Sequence, residues 1–155
     1  ITAELPALDA AIRAPLEDEG CFTIVDVGGN DSGAKVLNTF SKYFTTGSHY
    51  MLTVVNANRP ETADLEGASY HIAAIEAQTR INVDYIVNNC HLLTETTAAT
   101  VKKGHDLCER LCSATGKKLW CDCYPQKFVD KNQLTGLGKH IMPLGMYMRE
   151  TWLDK

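Results

Sequence analysis

Three polar clusters interrupt otherwise apolar runs in this chain, and each carries residue types able to do chemistry. Asp26-Val-Gly28-Gly29-Asn30-Asp31-Ser-Gly33 follows Cys21-Phe-Thr-Ile-Val; Asn56-Ala-Asn58-Arg59-Pro60 follows Tyr50-Met-Leu-Thr-Val-Val; and Asn88-Asn89-Cys90-His91 follows Val83-Asp-Tyr-Ile-Val. An Asp closing an apolar strand can hold a Mg²⁺-bound water, and the glycines after it leave backbone N–H groups open to a terminal phosphate. Arg59 is a cation in reach of a phosphate or a partner, although a solvated loop arginine is the plainer reading. Asn, Asp and Gly also make ordinary turns. Their recurrence after three successive apolar runs is what gives the pattern weight.

The elements that position these clusters can be read from periodicity. Leu5, Leu8, Ile12 and Leu16 recur at helical spacing as far as Gly20, and Cys21–Asp26 reads as a buried strand. Leu37, Phe40 and Phe44 mark a second helix, and Tyr50–Asn56 a second strand. Leu65, Ala68, Ile72 and Ile75 line the next helix, followed by strand Val83–Asn88. Val101, Cys108, Leu111, Cys112 and Thr115 share a helix face before strand Lys118–Tyr124 and a short strand Ile141–Leu144. Strands separated by helices of this length imply βαβ crossovers. The expectation is a single α/β domain over residues 1–155, three-layered α/β/α with a mostly parallel sheet. In such sheets ligands bind beyond the carboxyl ends of the strands, where all three polar clusters should gather.

Composition narrows the classes. Apolar residues make up 45% and charged residues 22%, a globular balance that excludes disorder. The net charge of −4 gives no basic surface for nucleic acid. No apolar run approaches the roughly 20 residues that cross a bilayer, and Ile1-Thr-Ala-Glu-Leu-Pro6 has no secretory pattern. A cytoplasmic protein with reduced thiols is therefore expected. The start lacks an initiator Met and reads as the interior of a longer polypeptide.

The segments Ile24–Ala34, Tyr50–Pro60 and Tyr85–Thr97, with the ending Ile141-Met-Pro-Leu-Gly-Met-Tyr147-Met-Arg-Glu-Thr-Trp152-Leu, resemble a bacterial branch of the MinD/ParA/cobyrinate-synthase group of P-loop ATPases. The likeness runs through nearly the whole chain. It implies the C-terminal part of a P-loop nucleotide-binding domain, without the first strand, the Gly/Lys-rich phosphate loop and the second strand. On this resemblance Asp26 matches the Walker B Asp that binds Mg²⁺ through water, and Gly28 and Gly29 sit in the turn facing the γ-phosphate. Asn88, or Asn89 if the register slips by one, matches the Asn that hydrogen-bonds the adenine edge, a task suited to an amide's paired donor and acceptor. Asn56 and Arg59 fall on the same nucleotide side. Asn30 stands where that branch more often has an acid; Asp31 either replaces it or caps the following helix. The implied activity is ATP binding and hydrolysis with Mg²⁺, as a nucleotide-dependent switch, possible as a homodimer.

Competing readings start from other residues. Cys90, His91, His105, Cys108, Cys112, Cys121 and Cys123 invite a thiolate metal site, but their spacing is not that of structural zinc, and buried apolar thiols are expected instead. Thr94 or Thr96 is expected to cap the helix that follows them. A non-catalytic interaction module on the same sheet is the alternative function. An ATP-using ligase or amidase ranks below both, because nothing resembles an amidotransferase cysteine site.

Overall fold

The computed structural model describes residues 10–28, 31–45, 49–138, 140–145 and 147. These divide into two compact units, the described residues up to 49 with 74–81, and the described residues of 50–73 with those from 82 on.

The second unit is built on a four-stranded, all-parallel sheet in the order β1-β2-β3-β4, with β1 Leu52–Val55, β2 Tyr85–Asn88, β3 Lys118–Pro125 and β4 Ile141–Leu144. The expected strands at these four places are present, and every pairing is parallel. Side chains alternate across the pleat, so Thr53 and Val55 are buried while Leu52 and Val54 are exposed. Strands that neighbour each other in sequence order, joined by right-handed crossovers, put their helices on one face. The main core agrees: Ala68 and Ile72 of helix Leu65–Thr79 and Leu107, Cys108 and Leu111 of helix Ala98–Thr115 pack together on Val55, Val83, Ile86 and Cys90.

Local chemistry sets the ends of both helices. Asp64 accepts from Gly67 N–H (2.8 Å) at the start of the Leu65–Thr79 helix. The Ala98–Thr115 helix is capped by Thr97, whose hydroxyl accepts from Thr100 N–H while the Thr100 hydroxyl accepts in return. The cap is thus Thr97, not Thr94 or Thr96; Thr96 ties the preceding loop by accepting from Leu92 N–H and donating to Leu93 C=O. Gly116, at φ 73°, closes the helix in the left-handed conformation that glycine adopts without strain.

Between β2 and β3 the register slips, Ile86 facing Leu119 and Val87 facing Cys121, so Trp120 is the extra residue. The bulge sends Leu119 to the helix-covered face and Cys121 to the opposite one. It also places Asp122 beside Asn88. The β3–β4 connection is a loop with the 3₁₀ turn Lys131–Leu134, and Val129 and Leu134 pack there with Val101 and Tyr124.

The first unit holds the 3₁₀ turn Ala10–Arg13, α1 Ala14–Glu17, α2 Asp31–Leu37, a 3₁₀ turn Asn38–Phe40 and α3 Ser41–Thr45, with the end of the helix that starts at Leu65. That helix is α4, and Ala98–Thr115 is α5. The helix expected around Leu37, Phe40 and Phe44 is thus present, broken by one tighter turn. Of the first expected helix, Leu5 and Leu8 lie outside the described residues. The expected strand Cys21–Asp26 requires correction: residues 21–28 form no regular element, and Phe22 and Ile24 are 93% and 84% exposed. A strand exists only where a neighbour takes up its backbone groups, and β propensity cannot replace that neighbour. The bonds this segment makes are local, Cys21 N–H to Asp18 C=O (3.1 Å) and the Thr23 hydroxyl to Pro15 C=O (2.7 Å).

Gly104 is where α5 meets β2. A Cβ there would collide with Asn88 Oδ1 and Cys90 Cβ. In an unhindered helix Gly→Ala adds about 1 kcal/mol of stability; here overpacking of about 1–3 kcal/mol opposes that gain. Gly104→Ala is therefore expected to lower the midpoint of urea unfolding. A raised midpoint would show that α5 does not press on β2.

Candidate functional site

The carboxyl ends of β1 and β2 lead into two loops tied to each other. Asn56 accepts from Asn58 N–H (3.0 Å) through Oδ1, tightening the turn after β1. Asn56 Nδ2 and Asn58 Nδ2 both donate to His91 C=O, each at 3.3 Å, and Asn58 Nδ2 also reaches Cys90 Sγ at 3.3 Å. The Thr62 hydroxyl donates to Asn56 C=O (2.8 Å), so the Arg59-Pro60 turn is fixed as well. Asn89 continues the ladder with its N–H on Val55 C=O (2.9 Å), and its side chain is half-buried with no internal partner among the described residues. Arg59 is exposed and His91 half-buried.

Burial lowers the His91 pKa first, and the Arg59 guanidinium lowers it further. His91 is thus held neutral at pH 7. Burial pushes the Cys90 thiol up, against the Ala57 and Asn58 N–H groups that would favour its anion. Cys90 is therefore a packed thiol, as the sequence reading expects.

Asn88 has a different part from the one its sequence position suggests. It is fully buried, with Nδ2 donating to Asp122 Oδ1 (2.7 Å) and Val101 C=O (3.0 Å) and Oδ1 accepting from Cys90 N–H (3.1 Å). The paired donor and acceptor that would read a base edge are already spent inside the fold. Asp122 is also fully buried, and His105 Nδ1 faces its two oxygens at 2.9 and 3.1 Å. A carboxylate opposite Nδ1 holds the proton on that nitrogen, an arrangement that elsewhere orients a general base. Cys108, one turn further along α5, is kept neutral by burial and by the Asp122 charge, so no activated thiol accompanies the dyad. Asn88, Asp122 and His105 thus act as a clamp between β2, β3 and α5.

The remaining candidates are placed as follows. Asp26 is exposed in the irregular segment of the first unit, and Gly28 packs its backbone against Gly33 at the start of α2. Gly29 and Asn30 lie outside the described residues, and Asp31 opens α2. At α4 and α5 one N-terminal N–H group each is taken by a side chain, Gly67 N–H by Asp64 and Thr100 N–H by Thr97. Beyond β3, Gln126, Lys127, Phe128, Asp130 and Lys131 line a shallow depression on the same edge. Among the described residues no three His, Cys, Asp or Glu side chains converge as a metal site, and no helix is long and apolar enough to cross a membrane. The chain matches no known family description, no curated protein and no solved structure.

The structure therefore brings Asn56, Arg59, Asn88, Asn89 and His91 to one sheet edge and withdraws Asn88 from its surface. Sequence reasoning passed over Asp122, the clamp's hub. The available signal was a lone acid between two strand cysteines, at an inward-facing position where charge is costly unless partnered.

Two measurements test this geometry. Asn88→Ala strips Asp122 of a donor and orphans Cys90 N–H and Val101 C=O, so a loss of about 3 kcal/mol or more in denaturant unfolding is expected; a neutral result would dissolve the clamp. By NMR, His91 should titrate below the usual value of about 6.5, and Arg59→Gln should recover the smaller part of the displacement, burial being the larger cause. The unfolded chain takes this proton before the folded one, so His91 costs stability as pH falls through that range. An ordinary titration of His91 would contradict its burial.

Proposed function

We propose that the carboxyl edge of β1 and β2 is the base-side part of an adenine-nucleotide site in a MinD/ParA-like P-loop protein that switches state with ATP and Mg²⁺. The observation that carries this is the cross-tie of Asn56 and Asn58 to His91 C=O. It pre-forms one polar edge on a parallel sheet, the usual ligand position in such sheets, beside the half-buried Asn89 and the exposed Arg59. Asn89 takes the base-reading role in preference to Asn88, because its amide is not committed internally. The Mg²⁺ role of Asp26, with Gly28 and Gly29 toward the γ-phosphate, is supported by the resemblance alone. Phosphoryl transfer is catalysed mostly by positioning and charge neutralisation. These 155 residues contain no Gly-x₄-Gly-Lys-Ser/Thr sequence to supply most of that, so hydrolysis by them alone is not expected.

A second reading, a non-catalytic α/β interaction module, is favoured by the self-capped N-termini of α4 and α5 and by the committed amide of Asn88. Both make a finished scaffold rather than an open phosphate site.

An NMR titration of the chain with ATP-Mg²⁺ separates the two. Weak binding, about 1 mM or above (roughly −4 kcal/mol or less favourable), with shifts at Asn89, His91 and Arg59 that Asn89→Ala abolishes, is expected for a base-side subsite. With Mn²⁺ in place of Mg²⁺, broadening at Asp26 supports its metal role. Shifts scattered over the surface, or none at millimolar ATP, leave the scaffold reading.

A further inference from the structure

The sheet face opposite α4 and α5 carries a group of sulfur atoms that the nucleotide reading does not use. Cys121 and Cys123, two residues apart on β3, point to that face, their sulfurs 3.9 Å from each other. In the β3–β4 register Cys123 pairs with Met142, and paired residues of parallel strands about 4.8 Å apart present their side chains to the same side. The neighbours confirm the side. Leu144, two residues after Met142, packs on Cys121 and Cys123, whereas Ile141 packs with Val101 and Tyr124 on the helix-covered face. Both thiols are buried, and Met142, beside Cys123 in the register, is 42% exposed.

We propose that Cys121, Cys123 and Met142 form a soft-metal site that takes a monovalent thiophilic cation, copper(I). Thiolate and thioether ligands select such an ion. Tetrahedral zinc is disfavoured because no His or carboxylate joins the two thiols as a further ligand among the described residues. A disulfide would require the sulfurs to close to about 2.05 Å, and the strand backbone would have to deform to allow it. On binding, the two thiol S–H bonds break, two thiolate S–Cu bonds and one S–Cu bond from the Met142 thioether lone pair form, and two protons leave to solvent. Copper stays in the +1 state and no electron moves. In the absence of metal, burial raises both thiols, Cys123 to about 12, so the pair is a neutral, unreactive dithiol until an ion displaces its protons.

The test is an anaerobic competition of the reduced chain against bicinchoninate, which colours when it holds copper(I). The wild-type chain is expected to withdraw a single copper(I), and Cys121→Ser and Cys123→Ser each to lose that withdrawal. Met142→Leu should hold the ion less tightly at unchanged stoichiometry, and Cys21→Ser and Cys112→Ser should match the wild type. A wild-type chain that withdraws nothing, or a Cys123→Ser chain that withdraws as much, overturns the site. If a serine variant fails to fold, X-ray absorption of the wild-type complex decides: sulfur neighbours alone support the proposal, and nitrogen or oxygen neighbours overturn it.

Discussion

A carboxylate removed from water in the middle of a parallel sheet is tolerated only if its charge is fully engaged, and Asp122 governs much of the second unit for that reason. Its oxygens are met by Asn88 Nδ2 from the adjacent strand and by His105 Nδ1 from the helix above. Each partner imposes a further demand. Asn88 reaches Asp122 only in the register set by the Trp120 bulge, and α5 can bring His105 down only because residue 104 has no side chain. Bulge, glycine and triad are mutually dependent. Removing one leaves a buried charge uncompensated, which costs several kcal/mol where a lost apolar contact costs less. Such a clamp specifies one register out of several similar ones, since sliding β3 by one residue would turn Asp122 onto the opposite face.

The same clamp shapes what the sheet edge can do. By holding Cys90 N–H, Asn88 fixes the start of the loop that carries His91, and the His91 carbonyl is where Asn56 and Asn58 converge. The surface chemistry of the edge therefore rests on an amide that never reaches the surface. Seen this way, an Asn at a strand end need not touch a ligand to matter for binding one. Through Cys90 N–H it holds the loop beyond β2.

Much of the fold was legible because local signals and tertiary outcome coincide. Apolar runs such as Tyr50–Val55 and Tyr85–Val87 suit strands flanked by neighbours, and the helical recurrence through Leu65–Ile75 and Val101–Thr115 matches α4 and α5. Cys21–Asp26 carries an equally good strand signal and forms none. The difference lies outside the segment, in the presence of a pairing neighbour, and no window of residues contains that information. The role of Asn88 was illegible for a related reason. Its decisive partner is 34 residues away, and the pairing depends on a one-residue bulge that a pattern of alternation does not announce. The Thr94–Thr97 run shows a finer limit. All its hydroxyls are candidates for a cap, and the choice falls on Thr97 because Thr100 can answer it, while Thr96 is occupied with Leu92 and Leu93.

The two faces of the sheet also obey different rules. On the face under α4 and α5, close packing leaves room for polar groups only where they complete one another, and Asp122, Asn88 and His105 do so. On the other face Val54 is 58% exposed, and Trp120 and Met142 are partly so. There the alternation of β3 places thiols instead of charges, and a thiol is the one titratable group that can be buried neutral at pH 7 at the size of a small apolar side chain. Cys121 and Cys123 thus satisfy the packing requirement of a strand and keep, in reserve, the strongest soft-metal ligands available to a protein. Asp122 between them has to be on the opposite face for both conditions to hold. The single register that the buried carboxylate enforces is therefore also what keeps both sulfurs on the face away from α4 and α5.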